Sequence, residues 1–180
     1  MEAESELIYN PHKYQAEIHA NLKRFSVLVC HRRFGKTFLA IATLIDAAIS
    51  TERENLRFAY VAPYQKQAKQ VAWDYLKQFA LPIHGTVANE SETSITFLNG
   101  ARVRLYGSDN GQAMRGLFFD GVICDEIADF RPETWPEIIR PALTDSYHKG
   151  WCLFIGTPKG LNQFYDLYQY AIKDPTWYAG

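Results

Sequence analysis

The sequence predicts an α/β fold with a mostly parallel central sheet flanked by helices, and three observations carry that expectation. Short apolar, β-rich runs alternate with longer helical patterns, as strands joined by helical crossovers do. One strand–helix junction carries Gly35-Lys36-Thr37, and a later apolar run ends in two acids, Asp125-Glu126. The pair Asn99-Gly100 between two short β-rich runs adds a hairpin insertion to this framework.

The elements follow in order. Phe25–Cys30 reads as the first strand; a polar turn separates it from Phe38–Ile49, apolar on nearly every side, as a helix buried against a sheet must be. Arg57–Ala62 is a second strand, stopped by Pro63. Gln65–Phe79 is helical, with Ala68, Val71, Ala72, Tyr75, Leu76 and Phe79 on one stripe. Ser94–Leu98 and Arg102–Tyr106 form the hairpin, and Leu117–Cys124 and Trp151–Ile155 are further strands. Pro132–Leu143, interrupted at Pro136, and Leu161–Ile172 are further helices. Trp177–Gly180 reads as the start of another strand, so the chain is expected to be the N-terminal piece of something longer.

Bulk composition narrows the class. The 180 residues suit one domain with a sizeable core, and 47% apolar with 22% charged residues is an ordinary globular balance. A net charge of -1 offers no basic signature for nucleic acid, although Lys66, Lys69, Arg102 and Arg104 can build a local basic face. Cys30, Cys124 and Cys152 form no C-x-x-C pattern, and each sits in or beside an apolar run, which fits free thiols in a reducing compartment. The start, Met1 to Glu6, is acidic and lacks the regions of a signal peptide, and no apolar run approaches the roughly 18 residues of a membrane span. A soluble, cytoplasmic protein is expected.

Cys30-His31-Arg32-Arg33-Phe34-Gly35-Lys36-Thr37 matches the phosphate-binding pattern G-x-x-x-x-G-K-[ST], with Cys30 in place of the first glycine. A loop of this length can turn successive backbone N–H groups toward phosphates, and the helix after it adds its unpaired N–H groups. Gly35 permits close approach, Lys36 reaches the β- and γ-phosphates of ATP, and the Thr37 hydroxyl ligates Mg²⁺. Two cations in one loop repel unless an anion is near. One of Arg32 and Arg33 is therefore expected to face the γ-phosphate and the other to pin the loop to an acidic neighbour, in either order.

Val122-Ile123-Cys124-Asp125-Glu126 is an apolar strand ending in two acids. Asp125 is expected beside Thr37, holding Mg²⁺ through water, and Glu126 to orient and polarise the attacking water. The separation of the two motifs leaves room for an intervening strand. That fits a P-loop NTPase of the added-strand, catalytic-glutamate type.

These residues together resemble the ATPase domain of the large terminase subunit of tailed phages and prophages, and the similarity extends over nearly the whole chain. Arg32-Arg33-Phe34-Gly35-Lys36-Thr37 resembles that family's phosphate loop, and Pro11-His12-Lys13-Tyr14-Gln15 its adenine-recognition segment. Tyr60-Val61-Ala62-Pro63-Tyr64 is similar to the strand and turn after the first crossover in helicase-type motors. Gly107-Ser108 through Met114-Arg115-Gly116 matches the segment where the family carries a candidate arginine finger, which implies that role for Arg115. Phe154-Ile155-Gly156-Thr157-Pro158 resembles the coupling motif, which implies that Thr157 senses the γ-phosphate; Gly160-Leu161-Asn162 with Phe164-Tyr165 continues the pattern.

The resemblance implies an ATPase motor that drives double-stranded DNA into a procapsid. It further implies a homo-oligomeric ring on the portal, with the small terminase subunit, in the host cytoplasm and away from membranes. The departures are Cys30, an incomplete lid region, and nothing that corresponds to the family's acid-rich C-terminal nuclease domain, so residues 1–180 are expected to hold the ATPase domain without DNA-cleaving residues. A helicase-like or remodelling ATPase, and an ATP-binding assembly module with little turnover, are the competing readings.

Overall fold

The computed structural model of the chain describes residues 9–144 and 149–180; the acidic start, Met1 to Glu6, lies outside them. Helix α1 (Lys13–Asn21) precedes strand β1 (Phe25–Val29), and α2 (Lys36–Ile49) follows it. After β2 (Arg57–Ala62) one helical stretch runs through α3 (Gln65–Ala68), a π-helical segment (Lys69–Trp73) and α4 (Asp74–Ala80). Three strands come next, β3 (Val87–Asn89), β4 (Ser94–Thr96) and β5 (Arg102–Gly107), then a 3-10 segment (Ser108–Met114) and β6 (Gly121–Asp125). A π-helical segment (Thr134–Ile139) runs into α5 (Arg140–Ala142), followed by β7 (Trp151–Gly156), α6 (Gln163–Lys173) and β8 (Trp177–Ala179).

The strands form one sheet in the order β3-β4-β5-β2-β6-β7-β1-β8. From β5 to β8 every pairing is parallel; only β3-β4 and β4-β5 are antiparallel. Parallel pairing requires crossovers that cover both faces, so the central strands are apolar on both sides. Leu28, Tyr60, Ile123, Leu153 and Ile155 face the layer built from α2 and α4. The alternate positions Val27, Val61, Cys124 and Phe154 pack with Trp135, Ile139 and Phe164 of the opposite layer. Cys124 and Cys152, distant in sequence, bring their thiols to 3.7 Å across β6 and β7; all three cysteines are free and buried.

The expected hairpin is present around Asn99-Gly100, and β3 extends it by a third strand that the sequence reading missed. Several boundaries differ for local physical reasons. Val71, assigned to the buried stripe, is 37% exposed, because the π-helical segment adds a residue to its turn and rotates that position outward. The strand expected from Leu117 begins only at Gly121, since the Leu117 amide bonds back to Met114 and the Phe119 amide to Ala142. The helix expected over Pro132–Leu143 is π-helical from Thr134 to Ile139; Pro136 has no amide hydrogen to give a regular α ladder. Trp177–Ala179 completes β8, which pairs with β1 as the sheet edge.

Leu44 of α2 is fully buried under the sheet. Leu44→Ala is expected to lower unfolding free energy by about 3 kcal/mol in a urea titration, from lost transfer energy and the cavity left behind.

Candidate active site

Because β1, β6 and β7 run parallel, their carboxyl ends emerge at one edge of the sheet. The Cys30 amide donates to the Gly156 carbonyl at 3.0 Å, and the Glu126 amide to Ile155 at 2.9 Å, so the three exits are stitched side by side. β7 lies between the strand that leads into the phosphate loop and the strand that ends in Asp125, and so is the intervening strand. It comes from later in the chain than either motif.

Gly35 caps α2 in a left-handed conformation, φ 84°, with no side-chain bond to the helix start. The first-turn amides of α2 are therefore left for an anion. A Cβ at Gly35 would also lie 2.8 Å from the Gln15 amide nitrogen. Gln15 is buried, 5% exposed, although it stands in the first turn of α1. Its Nε2 donates to the Gly35 carbonyl at 3.3 Å, and its Oε1 accepts from the His12 amide at 3.1 Å. The His12 ring reaches the Phe34 carbonyl at 3.3 Å, so α1 braces the phosphate loop through two successive carbonyls. Beside this brace lies a cavity of 370 Å³ lined by Tyr9, His12, Gln15, Phe34, Phe38 and Phe79 among others.

Lys36 Nζ stands 3.9 Å from Glu126 Oε1. The other carboxylate oxygen of Glu126 accepts from the Thr157 hydroxyl at 3.2 Å and lies 3.4 Å from Lys159 Nζ. Lys159 in turn contacts Asp129 at 2.5 Å. Glu126 has φ 55°, unusual for a residue with a side chain, and this turn at the strand end aims it at the phosphate loop. Asp125 is 7% exposed, and its Oδ2 accepts from the Tyr60 hydroxyl, while Oδ1 is buried with no hydrogen-bond partner. Burial first, then the neighbouring Glu126 charge, push the Asp125 carboxyl up to about 6, against the Tyr60 hydrogen bond and the Lys36 charge, which favour the ionised form.

The fold thus gathers Cys30, Gly35, Lys36, Thr37, Asp125, Glu126 and Thr157. Cys30 is buried, which pushes its thiol up to about 11, so it packs rather than reacts. His31 bonds the Arg32 carbonyl at 2.6 Å and meets Phe34 edge-on. Arg32 and Arg33 are exposed, Arg33 at φ 66°, and neither forms an ion pair among the described residues; the pin to an acidic neighbour expected of one is not seen there. Arg115 lies apart, 3.8 Å from Glu137 and half exposed. The local basic face is partly cancelled, as Arg102 and Arg104 both approach Glu92, at 2.9 and 4.0 Å. Tyr60, Lys159 and the His12 brace were not read from the sequence. Their partners are distant in the chain, and no spacing signals them.

A parallel sheet whose phosphate loop and acid-tipped strand flank an inserted strand defines a P-loop NTPase fold of the added-strand type. Residues 29–179 match the family model for the terminase large subunit, T4likevirus-type, N-terminal. The chain belongs to that family. The terminase large subunit of Escherichia phage T5 is 28% identical over 162 residues, which cover 86% of this chain and 35% of the relative. The chain therefore spans about a third of that relative's length. The large terminase ATPase domain of Thermus phage P74-26 has the same fold, with a TM-score of 0.80 at 23% identity over 96% of this chain and 81% of that one. A large terminase from a thermophilic bacteriophage, solved in complex with ATP-gamma-S, superposes with a TM-score of 0.68 at 17% identity, covering 88% of this chain and 39% of that one.

The raised Asp125 carboxyl sets a pH signature. A group that holds its proton more tightly when folded adds stability that is present at about pH 4 and lost as pH rises through about 6. In metal-free buffer, the stability of the parent relative to Asp125→Asn should fall by on the order of 3 kcal/mol between pH 4 and 7, read by denaturant titration at each pH. A flat difference would refute the assignment.

Proposed function

We propose that this chain is the ATPase motor domain of a viral terminase large subunit, coupling ATP hydrolysis to movement of double-stranded DNA into a procapsid. The observation that carries the reading is the convergence of Lys36 and Glu126 at 3.9 Å beside a buried aspartate and an open helix start. The first-turn amides of α2 and Lys36 hold the β- and γ-phosphates, and Glu126 orients the water that attacks in line. Gln15 and the aromatic cavity next to it receive the adenine; each polar atom of the Gln15 amide keeps one further hydrogen-bonding position.

The residues present fit a divalent cation. Asp125 Oδ1 is a buried acceptor without a partner, and Mg²⁺ takes oxygen ligands, often through water. Thr37 and Asp125 would hold it, and when bound it neutralises charge on the phosphates. Thr157, already bonded to Glu126, senses the γ-phosphate through that carboxylate. Arg32 and Arg33, exposed on the phosphate loop, are cations within the chain that can approach the transferred phosphoryl group. Arg115, half exposed with one distant partner, is free to reach a neighbouring subunit in a ring.

In the intact protein this domain works with the portal, the small terminase subunit and DNA, in the host cytoplasm. No DNA cleavage is expected from these residues. Among the described residues no helix is long and apolar enough to cross a membrane.

Glu126→Gln is expected to lower ATP turnover by about 100-fold or more while leaving ADP binding within a few-fold of the parent. Hydrolysis at the parent rate would remove Glu126 from the mechanism. Parent turnover is also expected to rise more steeply than protein concentration, and Arg115→Ala to lower it about 1,000-fold and restore proportionality. A parent that binds ATP yet turns over at no concentration favours the assembly-module reading instead.

A further inference from the structure

Tyr60 is fully buried in β2, and its place opposite Ile123 of β6 turns its side chain to the face that carries α2. A buried phenol needs a partner for its hydroxyl, or the position favours phenylalanine. Here the hydroxyl donates to Asp125 Oδ2.

A phenol has one hydrogen to give. With that hydrogen committed to Asp125 Oδ2, the phenol fixes the rotation of the carboxylate. The other oxygen, Oδ1, is buried and unpartnered.

We propose that Tyr60 is a positioning residue of the magnesium site: its hydroxyl occupies Asp125 Oδ2, so that the remaining carboxylate oxygen, Oδ1, is held for the cation. The inference rests on the Mg²⁺–nucleotide reading of this site and adds a residue that binds neither metal nor phosphate. Loss of such an outer partner typically lowers metal affinity by about 10- to 100-fold.

The test is titration of the purified chain with a fluorescent ADP analogue, in EDTA and in excess MgCl₂, for the parent and Tyr60→Phe. The parent is expected to bind more tightly with Mg²⁺; absence of that gain would overturn the metal reading itself, and this inference with it. Tyr60→Phe is expected to match the parent within about twofold in EDTA and to lose about tenfold or more of the Mg²⁺-dependent gain. An unchanged gain, even with a lower melting temperature, would show a packing role only and overturn the proposal. Should the variant fail to fold, 3-fluorotyrosine placed at position 60 of the parent supplies the second readout. Its ¹⁹F resonance is expected to move when MgCl₂ is added to the ADP-bound protein, and a resonance that stays fixed counts against the proposal.

Discussion

Lys36 and Glu126 meet at 3.9 Å across the carboxyl edge of the sheet, and the chemistry of the site depends on the strand order that permits this approach. Neighbouring strands in a sheet stand about 4.8 Å apart, so one inserted strand moves an acid at a strand end away from the phosphate loop by about that amount. β7 supplies this spacing between β1 and β6. It leaves room for a long side chain on each side to reach into the gap, and it brings Thr157 to the same place. Were β1 and β6 adjacent, Glu126 would crowd the loop backbone rather than face Lys36.

The opposed charges at this edge form a connected system. Glu126 shares its two oxygens between Lys36 on one side and Thr157 and Lys159 on the other, and Lys159 is shared again with Asp129. A polyphosphate entering the loop would compete with Glu126 for Lys36 and leave the glutamate to the β7 side. That exchange would link occupancy of the loop to the segment after β7 without any change in the sheet. Asp125 plays a different part: its carboxyl is raised by burial and keeps one oxygen without a partner. A native fold retains such a destabilising group where function requires it.

The phosphate loop is held from behind as well as in front. Gly35 lies in the left-handed region, where a side chain is strained, and a Cβ there would also displace the Gln15 amide. The contacts of α1 use loop carbonyls, which point away from an anion when the amides point toward it. Bracing the carbonyls therefore orients the amides. The first helix is in this sense part of the proposed nucleotide site, through its hold on the loop backbone.

Much of this protein was legible in its linear pattern. Alternating apolar runs declared a parallel α/β sheet because strands buried on both faces must be continuously apolar. The hairpin at Asn99-Gly100, the Gly35-Lys36-Thr37 junction and the Asp125-Glu126 strand end could be read because local backbone geometry demands those residue types at those spacings. The position of β7 between β1 and β6, the π-helical turn that exposes Val71, and the union of Tyr60 with Asp125 could not. Strand order, helical phase and the partners of a buried hydroxyl depend on which segments pack against one another across the core. Those choices are settled by burying the whole apolar surface at once, and no short window of sequence contains that sum.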